Sequence, residues 1–154
     1  MAAKEMQLEL SSESRPHHFH GESMKPFLQE GDEVIVDRIA SADIRAGDVV
    51  TYRLEDKFPT RRVVRKTPDY LDLWCENWPT RRFRAAREDL LGRAVARRRN
   101  GRWLRHTDPA WTTATRKALK AYRRDRLREL SVYYSGRLAE RLRRAANTLG
   151  LARN

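Results

Sequence analysis

Over the first hundred residues, short apolar clusters alternate with turn material. Glu33-Val34-Ile35-Val36-Asp37, Asp48-Val49-Val50-Thr51-Tyr52-Arg53, Arg61-Arg62-Val63-Val64-Arg65 and Tyr70-Leu71-Asp72-Leu73-Trp74 are strand-length runs rich in β-branched and aromatic residues. Between them stand Glu30-Gly31-Asp32, Ala46-Gly47-Asp48, Phe58-Pro59-Thr60 and Thr67-Pro68-Asp69, where Gly, Pro and Asp favour tight turns. Closely spaced strands with tight turns predict a mainly β, antiparallel core, with residues 91–96 and Arg102-Trp103-Leu104 as late strands.

Beyond residue 100 the period changes. Asp108-Pro109 suits a helix start, since the carboxylate can cap free N–H groups and proline loses no needed donor at the first helical position. Trp111, Ala114, Ala118, Tyr122, Leu130, Tyr134, Leu138, Leu142, Ala145 and Leu149 then recur mostly at steps of three and four, leaving Arg123, Arg124, Arg128, Arg137, Arg141 and Arg144 largely on other faces. Ser135-Gly136 interrupts the pattern, so one long kinked helix and two helices both fit, and Gly150 is the expected stop. The expected organisation is a β core over residues 1–100 and a basic amphipathic helical extension over 101–154, α+β overall.

The chain has 154 residues, the size of one domain with an appendage. With 40% apolar and 35% charged residues it is polar yet able to form a core. No apolar run reaches the roughly 18 to 20 residues that cross a bilayer. Nor does the N-terminus have the charged-then-apolar layout of a secretion signal, so neither a transmembrane protein nor a secreted precursor is expected. A single cysteine, Cys75, excludes an internal disulfide framework and a cysteine-based zinc site, and suits a reducing, cytoplasmic setting. The charge is uneven: 16 Lys/Arg face 17 Asp/Glu up to Ala96, a net of −1, against 17 and 4 after it, a net of +13.

Candidate chemistry concentrates in Gly21-Glu22-Ser23-Met24-Lys25-Pro26-Phe27-Leu28, followed by Glu30-Gly31-Asp32-Glu33-Val34-Ile35-Val36 and by Arg45-Ala46-Gly47-Asp48-Val49-Val50. This order resembles the signal-peptidase and LexA-type family of serine peptidases, whose cores read G-x-S-M-x-P-x-L, then G-D-x-V-x-V, then x-G-D-V-V. Thr60-Arg61-Arg62-Val63-Val64 resembles the family's base-bearing strand, Cys75-Glu76-Asn77 its G-D-x-N segment, and Asp89-Leu90-Leu91-Gly92-Arg93-Ala94-Val95 its closing strand. About twenty residues precede the motif, so the expectation is a core without the membrane anchor of signal peptidases or the DNA-binding domain of LexA-like repressors.

The resemblance implies peptide-bond hydrolysis with Ser23 as nucleophile, its own backbone N–H helping to bind the oxyanion, and with Met24 and Pro26 beside the substrate. The family's Lys or His base position holds Arg61, which stays protonated and cannot accept the serine proton. Three alternatives stand in its place: His20 swings in; Lys57 or Lys66, flanking the strand, approaches; or the protein is a pseudopeptidase that binds a peptide or partner without cutting it. Glu76, at the family's acidic position, is expected to hold Arg61 as an ion pair. Cys75 reads as a small buried hydrophobe.

His17, His18 and His20 offer too few ligands for a metal, so no metal and no cofactor is expected. The expected partners are a peptide or protein substrate in the groove. For the basic helix they are nucleic acid, an anionic membrane surface or a protein, unless its apolar stripe packs on the β core or a second copy.

Overall fold

The computed structural model describes residues 16–148. Leu149 and Gly150, at the expected end of the helix, lie outside the described residues, as do residues 1–15 of the predicted core. Among the described residues, eight strands precede one α-helix: β1 (Pro16–His18), β2 (Glu33–Asp37), β3 (Val49–Tyr52), β4 (Thr60–Lys66), β5 (Tyr70–Trp74), β6 (Arg82–Ala86), β7 (Leu90–Arg99), β8 (Arg102–Arg105) and α1 (Pro109–Thr148). All pair antiparallel in one sheet of order β1-β2-β7-β3-β4-β5-β6, with β8 also on β7. The predicted mainly β, antiparallel core with a C-terminal helix is the fold observed.

The ten-residue β7 organises the sheet. One of its edges pairs with β2; the other pairs first with β3 and then with β8. Asn100 and Gly101, both at positive φ, make the two-residue turn of the β7–β8 hairpin, the mirror-type geometry that follows strand twist.

Side chains alternate across the sheet, so adjacent Val49 and Val50 feed different clusters. Val49 joins Phe19, Met24, Phe27, Leu28, Val34, Ala94 and Trp111; Val50 joins Ile44, Tyr52, Val63, Leu71, Leu73 and Ala85. The fold divides into two compact units after Leu119. The first unit therefore includes the opening turns of α1, whose Trp111 and Ala118 are buried and whose Trp111 ring meets Phe27 edge-on at 4.8 Å.

Within α1 the chain runs unbroken through Ser135-Gly136 as one helix. The Asp108 carboxylate turns backward at its start, accepting the Arg105 N–H at 2.7 Å, while the Asp108 carbonyl receives the N–H groups of Trp111 and Thr112. In the second unit Tyr134, Leu138 and Leu142 of the stripe are exposed, as is Leu127, while Leu130 is half-buried. Among the described residues no helix is long and apolar enough to cross a membrane.

Candidate active-site cleft

Residues 19–32 form a closed loop between β1 and β2. Its ends are tied by Phe19 N–H to Asp32 O at 2.7 Å and Gly31 N–H to Phe19 O at 3.0 Å. Burial of Phe19, Met24, Phe27 and Leu28 presses its underside onto the sheet, and the Asp32 carboxylate fixes its exit. Asp32 is 2% exposed and receives Arg99 Nε at 2.7 Å and Nη2 at 2.6 Å, a two-pronged pair that locks the loop to β7. Arg99 also donates to the Phe27 carbonyl, and Asn77 N–H donates to the Ser23 carbonyl. Ser23 thus sits on a packed and hydrogen-bonded support.

Arg61, on β4, reaches the serine. Its Nη1 donates to Ser23 Oγ at 2.8 Å and to the Thr60 carbonyl at 2.7 Å, with the guanidinium 5.2 Å above the Phe83 ring. Around this pair opens a cleft of about 630 Å³, walled by residues 17–23 on one side and 57–61 with Trp78 on the other. Phe58 and Trp78 are exposed aromatics on its rim.

The alternative bases are spread differently. His20 lines the cleft and its Nδ1 lies 2.9 Å from Glu30 Oε1, while Gly21 N–H donates to the other carboxylate oxygen. Those hydrogen bonds, the backbone one first, hold the Glu30 carboxyl below its ordinary value. Lys57 also lines the cleft. Lys66 Nζ is engaged elsewhere, donating to the carbonyls of Ala42 and Ile44. Met24 is fully buried in the core, and Pro26 is exposed, with its carbonyl near the Arg99 guanidinium; neither lines the cleft.

Residues 16–95 match the Peptidase S24-like family. The chain belongs to that family. The match agrees with the resemblance drawn from the motifs and stops within β7, short of β8 and α1. No curated protein and no solved structure matches the chain.

In this Peptidase S24-like core Glu76 does not hold Arg61, the pairing expected from the sequence, but its neighbour Arg62. Arg62 Nε donates to Glu76 Oε1 at 2.7 Å and Nη2 lies 2.5 Å from the same oxygen. Successive β4 side chains point to opposite faces, so when Arg61 turns toward Ser23, Arg62 enters the cluster beneath the serine loop. There it is fully buried: it donates to the Gly47 carbonyl at 2.6 Å and to Thr115 Oγ1 at 3.3 Å, and covers the Phe27 ring at 4.6 Å. Gly47, at φ +102°, lets this turn press against α1; a Cβ there would stand 2.7 Å from Thr115 Cγ2. Burial pushes the Glu76 carboxyl above its ordinary value, against the opposing pull of Arg62.

Cys75 is buried and unpaired, and its thiol is raised by burial, with Arg61 and Arg81 pulling the other way. Sequence reasoning missed the roles of Arg62, Arg99 and Trp78. Only Arg62 left a signal, as a second arginine directly after Arg61 and therefore one step out of phase with it along the strand.

Proposed function

We propose that this Peptidase S24-like chain binds an extended peptide or protein segment in the Ser23 cleft without hydrolysing it. The observation that carries this reading is the hydrogen bond from Arg61 Nη1 to Ser23 Oγ. A guanidinium stays charged throughout the physiological range and has no lone pair with which to accept the hydroxyl proton. Its donation to Oγ also draws electron density from the atom that would attack. The general base of a serine peptidase is thereby replaced by a hydrogen-bond donor.

The rest of the site suits a bound strand. Among the described residues β1 ends the sheet, paired with β2, and its His17 and His18 line the cleft, so a peptide extending the sheet there through its main chain would enter the cleft. A cytoplasmic location accords with the single buried thiol. On α1, residues 120–148 carry nine Lys/Arg against three Asp/Glu, and this surface contacts an anionic partner: nucleic acid, an acidic membrane surface or a protein.

One observation favours hydrolysis instead. The His20 imidazole is oriented by Glu30 in the same cleft, a carboxylate–histidine arrangement that can activate a serine. Intact-mass detection of a fluorophosphonate adduct separates the two readings. The wild type is expected to stay unmodified. An adduct that disappears in both Ser23→Ala and His20→Ala would establish the peptidase.

A further inference from the structure

The Ser23 cleft carries a positive charge that no described carboxylate neutralises. Arg61 is partly buried, its Nε is buried without a hydrogen-bond partner, and among the described residues no carboxylate pairs with it. Glu22, which also lines the cleft, is engaged by Lys25 Nζ at 2.5 Å. Lys57 adds a second cation on the same wall as Arg61. A half-buried guanidinium without a counter-ion favours an anionic ligand, because charge-assisted hydrogen bonds gain strength where water is thinned.

The position of this charge says which anion. Ser23 Oγ accepts from Arg61, so its own proton remains to be donated, and the guanidinium retains N–H groups beyond those given to Ser23 and Thr60. Together they present O–H and N–H donors in the same cleft that His17 and His18 of β1 line. An internal peptide bond offers a neutral carbonyl oxygen there, followed by more chain. A chain terminus offers two charged oxygens and ends.

We infer that the cleft captures peptides by a free C-terminal α-carboxylate, held between the Arg61 guanidinium and the Ser23 hydroxyl. This rests on the reading that the cleft binds without cutting, and it assigns the replaced base a specific job: recognising the product-like end of a chain. Two exposed aromatics on the rim, Phe58 and Trp78, provide apolar contact for the side chains preceding that end.

The test is fluorescence anisotropy on the full chain with an N-terminally labelled mixed hexapeptide pool, prepared once with free carboxyl ends and once as C-terminal amides. The carboxylate pool is expected to bind the wild type about tenfold or more tightly than the amide pool. Arg61→Gln should erase the difference, and the wild-type comparison stands even if that variant folds poorly. Equal binding of both pools overturns carboxylate capture while leaving a non-cleaving groove. Binding of neither pool overturns capture too, and if the wild type also forms a Ser23 adduct, the non-cleaving reading falls with it.

Discussion

Arg61 Nη1 and Ser23 Oγ lie 2.8 Å apart, with the arginine as donor, so the polarity of the link is opposite to that between a serine nucleophile and its base. Replacing only the donor should restore the usual polarity, because the support under Ser23 comes from Arg62, Asp32 and Arg99 rather than from Arg61. Arg61→His is expected to raise the rate of serine acylation by about 10²- to 10⁴-fold, the usual contribution of a positioned base. Intact-mass kinetics on Arg61→His and Arg61→His/Ser23→Ala check this. A rate unchanged from wild type would show that more than the base is missing.

The buried Arg62–Glu76 pair makes a different prediction. Removing one partner strands the other charge in the core, so Arg62→Met and Glu76→Leu should each cost about 3–5 kcal/mol of stability in urea unfolding. The double variant should recover much of that loss, since neither charge then remains buried alone. Additive losses would mean that Arg62 acts mainly through Gly47 and Thr115.

Glu30 supplies a pH dependence. Its depressed carboxyl favours the folded state fully above the ordinary value of 4.5, and that contribution is lost as pH falls through the depressed value. The Gly21 amide resonance, which reports the hydrogen bond directly, should therefore titrate with a midpoint below 4.5 and stop titrating in Glu30→Gln. A midpoint at or above 4.5 contradicts the clasp.

Cys75 should behave as an inert thiol. Buried and raised in pKa, it is expected to react with iodoacetamide at neutral pH far more slowly in the native protein than in urea. Comparable rates in the two states would show that the segment between β5 and β6 opens readily.

The basic face of α1 predicts a steep salt dependence. Binding to anionic vesicles or to duplex DNA should weaken between low and physiological salt, and Arg137→Glu/Arg141→Glu/Arg144→Glu should abolish it. Tyr134, Arg137, Leu138 and Arg141 form one shallow recess on this face, so the reversals alter the surface without touching the core. Failure to bind either ligand at low salt would remove nucleic acid and an acidic membrane surface from the proposal and leave a protein as the partner.

Much of this could be read from residues alone, and the parts that could not share a cause. Four strands followed from their β-branched and aromatic runs and two more as late strands, but β1 (Pro-His-His) and β6 (Arg-Phe-Arg-Ala-Ala) did not. These two end the sheet at opposite sides, where pairing with β2 and β5 imposes the extended form and no apolar alternation is needed. Asn100-Gly101 is a strong hairpin signal that the change in charge around it obscured. In the site, the motif singled out Ser23 and Arg61, which the structure brings into hydrogen-bond contact, but the expected partner of Glu76 was Arg61 and the observed one is Arg62. Which of two adjacent arginines faces a carboxylate is set by strand phase, and a one-residue shift in register inverts it.

The edge-on packing of Trp111 against Phe27 has a consequence for where this protein can be cut. The family match closes at residue 95, but the ring that covers the serine loop comes from sixteen residues further along, and Thr115 beyond it holds Arg62. A fragment trimmed to the matched span, or stopped before the helix, would expose Phe27 and free the guanidinium beneath it. Hydrogen exchange should accordingly find the amides around Leu28 and those around Trp111 opening together, as parts of one cooperative block that the family boundary divides.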